Sequence, residues 1–314
     1  MVRAFAPGVV KLFGEHAVVY GKPAIAAAVN KGVTISCERG DRTLVRTGKA
    51  YVDLEYMPGS NSASARGHEA FLSYVLAALQ RAESSFGRLN AVFTIQSDFP
   101  PSIGAATSAS VSVALLKAYA ECLGINIGRE ELASLAHKVE LDVQGAASPM
   151  DTAVSAIGGV LRIEPSPFRY RPLNAPLKEL VLALLPRRGL TKDIVADVRA
   201  LRARRRSVEA VMDAIASVVD EAEGCLAAND LTCVGELMEI NNWLLGALGV
   251  VGHDIVVLLR HLRPYIYGGK ISGAGRGGVV VLLPKRKEEL KEALAALDVP
   301  YVEAEVDVLG ARAI

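Results

Sequence analysis

The sequence predicts an α+β protein of two domains, on three observations. The chain of 314 residues exceeds one comfortable hydrophobic core. Strand-like runs and runs with a 3.6-residue period are mixed in both halves, as in mixed sheets covered on one face by helices. Residues 164–176 carry four prolines and read as a junction, which places the domains at 1–172 and 173–314.

Taken in order, residues 2–12 read as a strand broken by Pro7-Gly8, and 24–29 as an apolar segment beyond the turn residues Gly21, Lys22 and Pro23. Further strands are expected at 33–38, 43–46, 51–56 and 90–96, with a helix at 69–84 between the last two. Residues 58–67 read as a polar loop, a candidate lid. Helices follow at 107–123 and 129–142, another begins near Met150, and Gly158-Gly159 ends it before a strand at 160–163. In the second half 179–185 is strand-like, 192–229, 231–248 and 253–262 are helical, and 270–283 reads strand-loop-strand. A helix at 287–297 and a strand at 302–308 close the chain.

Composition removes several functions. With 35 Lys plus Arg against 34 Asp plus Glu, no net field favours nucleic acid or an anionic membrane. Cys37, Cys122, Cys225 and Cys233 have neither CxxC nor metal-ligand spacing, so a reduced, cytoplasmic protein is expected, with Cys225 and Cys233 lining the core. No signal or transit peptide is visible at the N-terminus.

Four stretches carry candidate chemistry. From Phe99 to Leu116, Pro100-Pro101 leads into small residues and hydroxyls without a charge, then into a helix. Unpaired N–H groups and the helix dipole would suit a phosphate there, and an ordinary Ser/Thr-capped core helix fits as well. Gly14-Glu15-His16 follows a strand and can present an acid and an imidazole at its end; alone, such a pair is usually just exposed. Glu140 and Asp151 flank a loop, where one could hold Mg²⁺ and the other act as a base, or where they could be a solvated acid and a helix cap. Gly273, Gly275 and Gly278 match GxGxxG, but the run leads into the strand-like Val279-Val-Val-Leu-Leu283 rather than a helix, so a glycine hairpin is expected instead of a dinucleotide site. Arg199, Arg202, Arg204, Arg205 and Arg206 read as a solvated helix face, given the acidic residues downstream.

Together these stretches resemble the GHMP small-molecule kinases. Residues 6–26 are similar to the first motif of that family, 100–111 to the phosphate-binding second motif, 140–159 to the segment with a metal ligand and a catalytic Asp, and 270–278 to the glycine-rich third motif; 237–249 also resembles the family. Within it, Gly-Glu-His-Ala-Val-Val-Tyr-Gly resembles the members that act on mevalonate. The resemblance implies an N-terminal domain like ribosomal protein S5 domain 2, a ferredoxin-like C-terminal domain and a site between them. It implies transfer of the γ-phosphoryl of ATP to the 5-hydroxyl of mevalonate, a small-molecule substrate, with a homodimer compatible. By position it implies Asp151 as base and Ser108 and Glu140 as Mg²⁺ ligands. It also implies phosphate contacts from Ser102, Ile103, Gly104, Ala105, Ala106, Thr107 and Ser108, with Gly273, Ala274 and Gly275 behind them. Glu15, His16 and Tyr20 would meet mevalonate.

The sequence departs from the family at three places. The Lys expected after Ala6-Pro7-Gly8 is Val9; Lys11, two residues on and on the same face of a strand, is expected to take its charge role toward the γ-phosphate or Asp151. Ser102 and Ala106 replace two glycines of the phosphate loop, which stiffens it. Arg276 stands where Gly is usual, beside the nucleotide or pointing outward. Two other readings share the fold: a kinase for phosphomevalonate or another hydroxyl of mevalonate, marked by an extra basic residue in the pocket, and a binding protein without catalysis.

Overall fold

The computed structural model describes residues 1–47, 53–56, 63–66, 69–99, 107–145 and 147–314. β1 (Val2–Phe13) runs antiparallel to β2 (Ala24–Arg39), and both are longer than the sequence suggests. Pro7-Gly8 does not end β1. The register slips there, with Pro7 opposite Gly32 and Gly8 opposite Val29, so an irregularity absorbs the proline within the ladder. The 16 residues of β2 serve two partners: 24–27 pair with β7 (Val160–Pro165) and 33–39 with β6 (Ala91–Ser97). β3 (Thr43–Thr47), β4 (Asp53–Tyr56) and β5 (Ala63–Arg66) extend that side of the sheet beyond β6, β3 being parallel to it. Part of the expected polar loop, 63–66, is therefore a strand; 58–62 and 67 lie outside the described residues.

α1 (Glu69–Phe86), α2 (Thr107–Leu123), α3 (Arg129–Gln144) and α4 (Met150–Ile157) contribute to the core on this sheet. α2 is buried from Ala109 to Ala120, the environment that its small, apolar sequence fits. In the second half β9 (Glu179–Leu185), β10 (Ile266–Ser272), β11 (Gly278–Pro284) and β12 (Tyr301–Glu305) form a four-stranded sheet in the order β10-β11-β9-β12. α5 (Thr191–Arg204), α6 (Ser207–Ala227), α7 (Leu231–Ala247) and α8 (His253–Leu262) connect β9 to β10, and α9 (Lys287–Ala296) connects β11 to β12. This is the split βαβ order of ferredoxin-like domains.

The structure corrects several expectations. The second sheet is covered on both faces: Leu180, Leu182 and Leu184 pack toward β1, β2, α6 and α7, while Val181 and Ala183 pack toward α5 and α8. The unbroken apolar run of β9 is the signature of such a strand. Within the proline-rich stretch, residues 164–173 belong to a hairpin of β7 with β8 (Phe168–Leu173), with Pro165 and Pro167 at its turn and Pro172 on its outer strand. Residues 192–229 are two helices parted at Arg205. The chain end returns to the first sheet, where β13 (Arg312–Ala313) pairs with β1. The cysteines are not reduced: Cys37 of β2 bonds to Cys122 of α2, and Cys225 of α6 to Cys233 of α7. Tertiary packing brings together the first pair, 85 residues apart, so no local spacing announces it.

One close approach sets the site. α7 lies directly on β10 where Gly235 meets Gly268, and a Cβ on either would collide with backbone atoms of the other strand or helix. Gly235→Ala is expected to push α7 off β10 and cost about 2–3 kcal/mol, read as a lower midpoint in denaturant unfolding.

Candidate active site

The site forms where β1, the 3-10 turn Ala17–Tyr20, α7 and the β10–β11 hairpin meet α3 and α4. Lys11, on β1, points at the first turn of α4: its Nζ lies 2.7 Å from both carboxylate oxygens of Asp151 and donates to Oδ2. Its backbone N–H donates to Ser272 Oγ of β10 at 2.8 Å, so the same residue is tied to both sheets. Asp151 Oδ1 is buried, and the ammonium of Lys11 is the close partner of both carboxylate oxygens.

Glu140, near the end of α3, is 5% exposed. Its Oε1 accepts from Ser108 Oγ of α2 at 3.3 Å. Burial, reinforced by the negative charge of Asp151, pushes the Glu140 carboxyl up to about 8 against the opposing effect of Lys11 and Ser108. Tyr74 of α1, unremarked in the sequence, has its hydroxyl hydrogen-bonded to Ser108 and Gln144. Thr107 Oγ1, at the start of α2, is buried and has no hydrogen-bond partner among the described residues. Ser102, Ile103, Gly104, Ala105 and Ala106 lie outside the described residues.

Gly14, at φ +94°, turns the chain out of β1; a Cβ there would lie 2.6 Å from Ala24 Cα. The turn carries Glu15 and His16 inward. Glu15 pairs with the fully buried Lys270 of β10, whose Nζ also donates to Ile271 O at 2.7 Å. Asn241 of α7 donates to Glu15 Oε2 at 3.5 Å and accepts from Gly14 N at 3.4 Å, while Asn242 Oδ1 accepts from Ile271 N at 3.2 Å. The carboxylate of Glu15 is thus engaged with Lys270 and Asn241. His16 sits at φ +61°, and its Nε2 shares a 2.9 Å hydrogen bond with Ala274 O. A carbonyl only accepts, so Nε2 carries the proton, and burial holds the ring pKa below its usual value. Tyr20 lies under Arg202, with its Oη buried and partnerless among the described residues.

Gly273, Ala274 and Gly275 form the turn between antiparallel β10 and β11, the glycine hairpin that the sequence predicts. Arg276 points outward to Asp197 of α5 at 2.6 Å. Sequence reasoning assigns no role to Lys270, Asn241, Asn242, Ser272 or Tyr74. The first four stand inside stretches already singled out, but only the folded geometry shows what they hold; Tyr74 has no sequence signal.

These features define a small-molecule kinase fold with its site between two sheets, and known proteins agree. Residues 73–159 match the GHMP kinases N terminal domain and 222–302 the GHMP kinases C terminal domain. The mevalonate kinase of Pyrococcus horikoshii is 35% identical, the alignment covering 93% of this chain and 92% of that protein. The crystal structure of the Methanococcus jannaschii mevalonate kinase superposes with a TM-score of 0.81 at 24% identity over 98% of each chain. That of L. major mevalonate kinase in complex with R-mevalonate does so with 0.80 at 23% identity, over 96% of this chain and 94% of that one. The chain belongs to the GHMP kinase family.

Glu140 makes the metal-free protein sensitive to pH. Its folded pKa of about 8 stands above the unfolded value of 4.5, so the native state favours the protonated form. The stability it confers is full below pH 4.5 and is lost as pH rises through about 8. Glu140→Gln is expected to remove this part of the decline, on the order of a few kcal/mol, in denaturant titrations from pH 5 to 9 without divalent cation.

Proposed function

We propose that this chain is a mevalonate kinase, moving the γ-phosphoryl of ATP to the 5-hydroxyl of mevalonate to make 5-phosphomevalonate for isoprenoid synthesis. The observation that carries the reading is the ion pair of Lys11 and Asp151, in which one ammonium lies 2.7 Å from both oxygens of a carboxylate in the first turn of α4. A carboxylate held in this way can take the proton of an attacking hydroxyl. The hydroxyl oxygen bonds to the γ-phosphorus, the bond from that phosphorus to the β,γ-bridging oxygen breaks, and ADP leaves. Lys11 keeps a fixed positive charge beside the base and toward the transferring group, where preorganised charge has most effect.

Two buried side-chain oxygens without a hydrogen-bond partner among the described residues, on Tyr20 and Thr107, belong to residues that the family resemblance selects. That coincidence supports mevalonate contacts by Tyr20 and His16 and phosphate contacts at the start of α2, from Thr107 and the preceding residues 102–106. Glu15 contributes there as a charge-neutral pair with Lys270.

Mg²⁺ fits the donor set. Glu140 and Ser108 offer only hard oxygens, and Glu140 stands beside the charge of Asp151 in a site where a carboxylate is otherwise costly. Glu140 and Ser108 would hold the ion, and it would neutralise charge on the phosphates. No helix of the described residues is long and apolar enough to cross a membrane.

The test is ATP consumption with Mg²⁺ against mevalonate, phosphomevalonate, homoserine and galactose. Turnover is expected with mevalonate, and kcat is expected to fall by about 10²-fold or more in Asp151→Asn and in Lys11→Met. Turnover only with another acceptor would make it a sister kinase, and none at all with ATP still bound would make it a binding protein. Near-normal kcat in Lys11→Met would remove Lys11 from the catalytic role.

A further inference from the structure

Lys11, Asp151 and Ser108 stand on three separate elements, and one backbone atom joins all three. The carbonyl oxygen of Pro7 on β1 accepts a hydrogen bond from Ser110 Oγ of α2 at 2.8 Å and from Ser155 Oγ of α4 at 2.7 Å. Both serines are buried, at 1% and 0% exposure. The slip in register at Pro7/Gly8, which the β1–β2 ladder carries there, leaves this carbonyl open to two side-chain donors. Ser155 is four residues past Asp151, one turn along the same face of α4. Ser110 is two residues past Ser108 in α2. Pro7 is four residues before Lys11 on β1.

We infer that Ser110 and Ser155 are positioning residues, which act through a shared acceptor to set the first turns of α2 and α4 against β1 and so fix the distances among Ser108, Asp151 and Lys11. A core needs only apolar volume at these two points, and alanine would supply it; hydroxyls meeting on one oxygen instead fix each helix against β1. This accounts for two polar side chains in an apolar layer. The inference rests on the kinase reading, since the geometry it protects is that of phosphoryl transfer, which loses rate steeply with small misplacements.

The test is the set Ser110→Ala, Ser155→Ala, the double variant and Ser155→Thr, assayed for kcat, the KM values of ATP and mevalonate, and Tm. Because each single alanine variant leaves one hydroxyl on Pro7 O, the singles are expected to lose less than about threefold in kcat. The double variant is expected to lose 10-fold or more, beyond the product of the singles, with both KM values within about twofold of the parent. Ser155→Thr, which keeps the hydroxyl, is expected to stay near the parent rate. A double variant with parental kcat and a lower Tm would overturn the inference and leave the serines as fold contacts only. Loss that is merely the product of the singles would also overturn the shared role. Failure of the parent to phosphorylate mevalonate would instead be a failure of the kinase reading, and the two results are read from different proteins.

Discussion

The buried ion pair of Glu15 and Lys270 is the constraint around which the two halves of the chain close. Lys270 is entirely buried, and burial pushes its pKa down, against the favourable effect of Glu15. A lone ammonium in that place would cost several kcal/mol, so the turn after β1 has to deliver a carboxylate to β10 for the interface to form. The pair comes from residues 255 positions apart, and Asn241, which donates to Glu15 and accepts from Gly14, completes it from a third element. Hydrophobic packing between β1, β2, β9 and β11 supplies the bulk of the contact and is tolerant of small slips. The polar group of Glu15, Lys270 and Asn241 is not, and it sets the register of one half on the other.

From that register the electrostatics of the site follow. Lys11 reaches Asp151 because β1 is held against β10 through Ser272 and against α4 by packing. Two carboxylates then sit close together, one beside an ammonium and one against a hydroxyl in a buried wall, and their roles part: Asp151 is held by Lys11, while Glu140 is pushed toward its neutral form. Such separation of neighbouring acids marks sites that handle protons and cations. Among the described residues Tyr20 Oη and Thr107 Oγ1 are buried without a hydrogen-bond partner, and such groups are ones that a polar ligand would complete.

The legible part of the site was its backbone chemistry. Gly14-Glu15-His16, the hydroxyl-rich start of α2, Glu140 and Asp151 are short runs whose residue types state their purpose once seen together. Gly273, Gly275 and Gly278 turn a hairpin and open no helix, as the strand-like run from Val279 to Leu283 announces. Lys11 was reachable by strand periodicity, and the ion pair with Asp151 is the geometry that the substitution of Val9 for Lys invited. The misses share a cause. The prolines of 164–176 suggest a junction, yet Pro165 ends β7 at the hairpin turn and Pro172 stands on the outer strand β8, where a residue that cannot donate is tolerated. The cysteines were read as thiols because spacing is one-dimensional, whereas Cys37 and Cys122 meet only when α2 packs on β2. The engagement of Glu15 with Lys270 was hidden for the same reason.

By itself the sequence determined the class of the fold, the positions of most helices and strands, and the identity of the groups that carry charge and hydroxyl at the site. Those properties depend on local periodicity, turn chemistry and residue type, all of which act over a few residues. Only the tertiary structure decided which of those groups are paired and which are left open. Glu15 is spent on Lys270, the carboxylate of Asp151 on Lys11, and the carbonyl of Pro7 on two serines, while the hydroxyls of Tyr20 and Thr107 have no partner among the described residues. Pairing is a matter of distances of about 3 Å between atoms remote in sequence, and only the closed core brings them within that reach.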